Sequence, residues 1–366
     1  MLEGDRPAAD LSATMDPKTH LLDLSQPQLN AWLAERGHPA YRSGQIIGGI
    51  LQRRATDFGQ LSELPKSLRA DLETHFDILQ SAIVKRQTAD DGTEKLLLQL
   101  ADGNRIECVL LRDGPRRSIC ISSQVGCAMG CVFCASGLDG VERNLTTGEI
   151  VEQIVQLQLL LPAEERLSHI VMMGMGEPLA NLDRVLPALE LAKDAKLGFG
   201  ISPRRITIST VGIPKAIRRL AAENQPYHLA LSLHAPNDVL RTRIVPVNKN
   251  IGIDAILAAS EAYFEATHRR LTFEYVLLGG INDGEAEARE MVRLLRGKVA
   301  MLNVIPYNPV AGLSYRTPSP QSIRRFREIL VDGGINVMFR QRKGDAIQAA
   351  CGQLRRKPDD PPLVQL

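Results

Sequence analysis

Residues 123–147 read SQVGCAMGCVFCASGLDGVERNLTT. The stretch runs between Ser122 and Thr147 with no apolar periodicity, so it is expected to be a structureless loop, and loops of this length are usually functional. Cys127, Cys131 and Cys134 stand in it at the spacing C-x3-C-x2-C. Three soft thiolates that close together bind metal. Zinc normally takes a fourth protein ligand and would keep an open position here. A [4Fe-4S] cluster held by three cysteines explains the missing ligand, because one iron is then free to bind a small molecule. Gly126 and Gly130 let the chain turn tightly, and Phe133, between two ligands, can shield the site from water.

Outward from this loop the pattern alternates. Apolar strand runs are expected at Ser118–Ser122, His169–Met173, Arg205–Ser209, Tyr227–Ser232, Leu271–Leu277, Val299–Pro306 and Ile335–Phe339. Amphipathic helices fit between them at Thr147–Leu161, Asn181–Ala195, Pro214–Ala222, Ile253–Thr267, Glu285–Arg296 and Pro320–Asp332. The repetition predicts an α/β fold with a mostly parallel sheet, open or curled into a partial (β/α) barrel. Chemistry then belongs where strands end. VMMGMGEPLAN (171–181) sits at such an end. Gly174 and Gly176 permit close backbone approach and Glu177 can accept from an amino group, or the block is simply a tight turn.

Upstream, residues 21–80 read as a small helical domain. In SQPQLNAWLAERG, Ser25 is a cap and Gly37 a stop, with Leu29, Trp32 and Leu33 on one face. The domain is either structural or a docking module for RNA. Residues 81–112 read as an antiparallel linker sheet, with a turn at Ala101–Asn104. Residues 1–20 read as a flexible tail, 113–345 as the barrel and 346–366 as a C-terminal loop and tail.

The 366 residues are 44% apolar, enough for a large core, and carry a net charge of +2. The start lacks a signal peptide and no apolar run spans a membrane, so a cytoplasmic protein is expected. Six cysteines, five of them between Cys108 and Cys134, make no disulfide scaffold. Bases cluster at 200–219 (Arg204, Arg205, Lys215, Arg218, Arg219) and at 336–357, where only Asp345 opposes Arg340, Arg342, Lys343, Arg355, Arg356 and Lys357. Either cluster can be a solvated face; two beside one site suit a polyanion. Cys351, in AACGQL, is by default a buried inert thiol, but its basic neighbourhood favours a thiolate.

The cysteine spacing, with an aromatic before the last Cys, resembles the radical S-adenosylmethionine (SAM) enzymes. SQVGC…GCVFCASG, VMMGMGEPLAN, SPRRITISTVG, HLALSLHAPND, RTRIVPVN, TFEYVLLGGIND, VIPYNP and KGDAIQAACGQL, in that order, resemble the dual-specificity 23S rRNA/tRNA adenine-C2 methyltransferases over about residues 25–354. The resemblance implies a radical-SAM partial barrel that methylates adenosine carbon 2 in 23S rRNA and at tRNA position 37. It implies one [4Fe-4S] cluster on Cys127, Cys131 and Cys134, and two SAM molecules per turnover. Gly176, Glu177, Ser209, Ser232, Leu233, His234 and Asn308 would contact SAM, with Glu177 accepting from its amino group. Cys351 would accept a methyl and carry the carbon to the base, a SAM-derived radical having taken hydrogen from it. Glu107 would handle a proton, and Cys120 would resolve the protein–RNA adduct through a disulfide with Cys351. Cys108 matches no role and is read as structural. Arg340, Arg342 and Lys343 would meet RNA phosphates. The expected partners are 23S rRNA, tRNA and a reducing electron-donor protein, with no DNA and no membrane.

The chain departs from the family pattern in YRSGQIIGGILQRR (41–54), where Gly48 and Gly49 replace bulky residues, and in CVLLRDGPRR after Glu107. Each glycine should weaken its helix by roughly 1 kcal/mol relative to alanine. A sister group with the same core methylates carbon 8 of the same rRNA adenosine. GMGEP and the long KGDAIQAACGQL ending favour carbon 2. A non-catalytic RNA-binding protein with a structural metal site is the alternative of another class; Cys120, Cys351 and Glu107 together speak against it.

Overall fold

The computed structural model describes residues 18–340 and 347–355. Residues 18–20 do not belong to a loose tail: β1 (Thr19–His20) pairs in parallel with β2 (Phe76–Asp77), and His20 is buried. Between them lie α1 (Gln26–Glu35), α2 (Tyr41–Leu51) and α3 (Lys66–His75). Ser25 caps α1 in a capping box with Gln28, which turns Leu29 and Leu33 inward. In α2, a Cβ on Gly49 would collide with the Leu61 side chain, so this glycine lets Leu61 pack against the helix.

Four antiparallel strands follow: β3 (Ala82–Thr88), β4 (Glu94–Gln99), β5 (Arg105–Asp113) and β6 (Arg116–Cys120). The cysteine loop is not structureless, because β7 (Gln124–Gly126) and β8 (Val141–Asn144) close it as a two-stranded ribbon. Thr146 then caps α4 (Thr147–Leu159) with Glu149 as its box partner. The alternation continues through β9 (His169–Met172), α5 (Leu182–Lys193), β10 (Ile206–Thr210), α6 (Pro214–Ala222) and β11 (His228–Ser232). The short α7 (Asp238–Ile244), capped by Asn237, was not foreshadowed by periodicity. After it come α8 (Ile253–Thr267), β12 (Leu271–Leu277), α9 (Glu285–Leu295), β13 (Ala300–Pro306), α10 (Pro320–Asp332) and β14 (Val337–Phe339).

One ten-stranded sheet results, in the order β14-β13-β12-β11-β10-β9-β6-β5-β4-β3. Strands β6 and β9 to β14 are mutually parallel, and β5, β4 and β3 extend the same sheet as an antiparallel edge rather than a separate layer. Its edges, β3 and β14, do not pair, so the barrel is partial. Ser118, Val171, Thr207, Thr272, Asn303 and Met338, from six different strands, nonetheless face one cavity of about 650 Å³. The sheet is therefore curled. Among the described residues, no helix is long and apolar enough to cross a membrane.

Candidate active site

The ribbon sets the cysteine loop against the C-terminal ends of the parallel strands. Gly126 takes φ +77° with its Cα against Gly140, whose carbonyl accepts from Cys127 N at 2.9 Å. Cys134 N donates to Cys131 O at 3.1 Å, which coils the chain between those two thiols. Cys127, Cys131 and Cys134 all line a cavity of about 140 Å³ together with Gly176, Glu177, Ser209, Ser232, His234, Asn308 and Cys351. Phe133 closes one side, edge-on to His234 at 4.8 Å between centroids.

Among the described residues, no three His, Cys, Asp or Glu side chains are already drawn together as metal ligands. The donor set nevertheless fits an iron–sulfur cluster: three thiols line the cavity, while the harder donors there are already engaged, Glu177 by Leu179 N and Val211 N and His234 Nδ1 by Val276 N. Burial, and then the neighbouring Cys134 and Cys127, push the Cys131 thiol well above its ordinary range. Positive iron would offset that repulsion. Asn308 lines the same cavity, and its Oδ1 is buried with no hydrogen-bond partner among the described residues, an acceptor left available to a small molecule.

Close backbone approach at GMGEP is realised. A Cβ on Gly174 would lie 2.6 Å from Ile121 O, and one on Gly176 (φ +100°) 2.6 Å from the Gln124 side chain. Glu177 accepts from Leu179 N at 3.0 Å and Val211 N at 2.8 Å, which ties the end of β9 to that of β10. Burial raises its pKa to about 7 despite those bonds. His234 is held at φ +60°, and its Nδ1 accepts from Val276 N at 3.0 Å. Burial lowers its pKa to about 3, so the ring is neutral with its proton on Nε2. Leu233 belongs to the hydrophobic core and does not line the cavity; its backbone N–H donates to Glu274 O.

Cys351 borders both cavities. Burial raises its pKa, and the neighbouring Arg340 pulls the other way without outweighing it. Burial, and then the neighbouring Cys351, push the thiol of Cys120, at the end of β6, up to about 12. Both are free thiols. Glu107 lies behind them, fully buried, with burial raising its carboxyl against the pull of Lys95. Arg340, Arg204, Arg205 and Arg116 border the larger cavity. Arg342 and Lys343 lie outside the described residues.

Sequence reasoning missed several supports. Ser122 N donates to Gln153 Oε1 at 2.8 Å, while Ser122 Oγ donates to Glu107 O and accepts from Met175 N. One hydroxyl thus joins β5 to the GMGEP turn. Glu274 borders both cavities and accepts from Asn303 Nδ2 at 2.6 Å. Arg241, fully buried, binds carbonyls at the ends of β10 and β11. The available signal was polar residues interrupting apolar runs.

A three-cysteine loop over the open end of a curled parallel sheet defines a radical-SAM enzyme, and residues 121–292 match the Radical SAM superfamily model. Residues 19–78 match the Ribosomal RNA large subunit methyltransferase N-terminal domain. A "Probable dual-specificity RNA methyltransferase RlmN" of Rhodopirellula baltica is 63% identical over 95% of this chain and 93% of its own length. The "Dual-specificity RNA methyltransferase RlmN" of Syntrophobacter fumaroxidans is 42% identical, covering 91% and 96%. The crystal structure of a radical SAM methyltransferase from Sphaerobacter thermophilus superposes with a TM-score of 0.89 at 43% identity, covering 93% of this chain and 100% of that one. The chain belongs to the RlmN family of radical-SAM methyltransferases.

Proposed function

We propose that this enzyme methylates carbon 2 of an adenosine in 23S rRNA and of the adenosine at tRNA position 37, with Cys351 as the methyl carrier. One observation carries the reading: Cys351 lies on the wall common to the cysteine-lined cavity and the larger, arginine-rimmed cavity. A carrier needs access to the methyl donor on one side and to the base on the other. When bound to the three cysteines, a [4Fe-4S] cluster with SAM supplies the radical chemistry that an unactivated C–H bond requires.

The chain's own groups do the rest. Asn308, Glu177, Ser209, Ser232 and the turn at Gly176 hold SAM, two molecules of which are used per turnover. The Cys351 sulfur accepts a methyl from the first and delivers its carbon to the base. Glu107 moves a proton at the methylated ring. Cys120, as its thiolate, then releases the product by bonding its sulfur to that of Cys351. The bond from the Cys351 sulfur to the transferred carbon breaks, and that carbon keeps the electron pair and takes a proton to become the methyl group. Arg340, with Arg342 and Lys343, holds RNA phosphates at the larger opening, and an electron-donor protein supplies the reducing equivalents.

Denaturing gels with labelled RNA, peptide mass analysis of residue 351 and nucleoside analysis against 2-methyl and 8-methyl standards test this together. Cys351→Ala should form neither methyl-cysteine nor an RNA adduct. Cys120→Ala should leave protein covalently joined to RNA, and Glu107→Ala should still load Cys351, at a reduced rate, and then stall product formation. RNA methylation by the Cys351 variant, or an 8-methyl product, would overturn the corresponding part.

A further inference from the structure

Lys95 has no part in the roles assigned above. It stands in β4 as EKLLLQ, a cation next to a leucine run. The register pairs Lys95 with Val109 and Leu97 with Glu107, so Lys95 and Glu107 are diagonal neighbours on one face of the sheet. Both are buried, 4% and 1% exposed. Glu94 points to the other face and pairs with Arg86 and Arg112 instead. A buried ammonium is costly to desolvate unless its donors are all met. Two acceptors, in two directions, hold the Lys95 ammonium.

Its Nζ lies 2.8 Å from Glu107 Oε1 and donates to the carbonyl of Gln348 at 3.1 Å. The second Glu107 oxygen, Oε2, accepts from the backbone N–H of Arg355 at 2.8 Å. Gln348 and Arg355 flank Cys351, so a single ion pair grips both ends of the segment that carries it. Between those grips the contacts are neutral. Ala135 N donates to Gly352 O at 2.7 Å, Ser136 Oγ to Leu354 O at 2.7 Å, and Asn308 Nδ2 to Cys351 O at 3.3 Å.

We propose that Lys95 is a positioning residue for methyl transfer: through Glu107 and the Gln348 carbonyl it clasps segment 348–355 and keeps Cys351 on the wall between the two cavities. The use made of the clasp rests on reading Cys351 as the methyl carrier; the clasp itself does not. Replacing Lys95 removes one grip outright. It also leaves the Glu107 carboxyl buried without its cation, which favours protonation and makes it a weaker acceptor for Arg355 N–H.

Hydrogen exchange on the full chain, followed by mass spectrometry of a peptide covering 348–355, reads the clasp without any chemistry. Lys95→Met should speed exchange there at least tenfold while β4 and β5 stay protected. Lys95→Met with Glu107→Gln leaves no unpaired buried charge and guards against simple misfolding; it too should exchange faster at the Gln348 end. With saturating SAM, Lys95→Met should load methyl onto Cys351 at least tenfold more slowly with little change in KM for SAM. Unchanged exchange in both variants overturns the proposal. So does faster exchange spread equally through β4 and β5, which would make Lys95 merely structural. If the unaltered protein never methylates Cys351 but the 348–355 peptide responds as expected, the carrier reading fails and the clasp stands.

Discussion

Arg241 is a cation held where its chemistry least favours it, out of water. Its guanidinium has no exposed surface, and it donates from Nε to Leu233 O at 3.0 Å and from Nη2 to Val211 O at 2.6 Å and Ser232 O at 2.8 Å. Burial lowers its pKa to about 10, which leaves it charged at neutral pH. The planar fork suits this position because three carbonyls at two strand ends need donors at fixed angles. Arg241→Met should orphan those carbonyls at about 1 kcal/mol or more each and so destabilise the protein by roughly 3 kcal/mol. Urea unfolding measures this; a change under about 1 kcal/mol would mean that water reaches the carbonyls. Cys108, by contrast, behaves as read from sequence, a fully buried thiol in the hydrophobic core.

At the scale of elements, α2 separates propensity from packing. Its two glycines were expected to act alike, yet a Cβ on Gly48 meets only Gln52 Oε1 at 3.9 Å while one on Gly49 strikes Leu61. Gly48→Ala should therefore stabilise the protein by about 0.5–1 kcal/mol. Gly49→Ala gains the same propensity but must displace a core leucine, and should be destabilising by about 1 kcal/mol or more. Thermal unfolding of the two variants should shift in opposite directions. The helix α4 shows a different division of labour: Gln153 orders Ser122 on the catalytic side, and the adjacent Glu152 faces the N-terminal segment. Neighbouring positions on one helix thus serve two halves of the molecule.

Across the whole molecule, Glu152 is a buried charged tie between those halves, beside the bonds that Arg54 and Gln52 make to barrel carbonyls. Its carboxylate accepts from His20 Nε2 at 2.9 Å, Gln80 N at 3.0 Å and Ser81 N at 2.8 Å. Burial would raise its pKa, but His20 and then Ser81 and Gln80 outweigh it and hold the value below the usual 4.5. A depressed carboxyl contributes stability that is fully present above the unfolded value and lost as pH falls through the folded one. Glu107, Glu177 and Glu274, raised by burial, act in the opposite sense. The comparison that isolates Glu152 is therefore with Glu152→Gln: the stability gap should be widest at neutral pH and narrow below pH 4.5. A gap independent of pH would count against the charged tie. The arginine-rimmed cavity makes a second prediction at this scale. Arg340→Ala should weaken RNA binding and lower its logarithmic salt slope by about one unit if it contacts a phosphate. An unchanged slope would make Arg340 a solvated residue.

Periodicity and spacing alone determined the βα alternation, the cap at Ser25 and the three-cysteine loop, because each depends on residues near one another in the chain. Strand bounds differ from expectation by a residue or two, as at His228–Ser232. What the linear sequence leaves open is everything set by long-range pairing. Only the register of β4 on β5 makes Lys95 and Glu107 neighbours, and only the return of the C-terminal segment brings Cys351 near Cys120 and under the grip of Glu107. The same return half-buries Cys351 and so raises its pKa, since charge density along the chain does not reveal how much water a sulfur keeps. Local order is legible in the sequence because it is local. The site is assembled by contacts between residues as far apart as Glu107 and Arg355, and tertiary structure decides those.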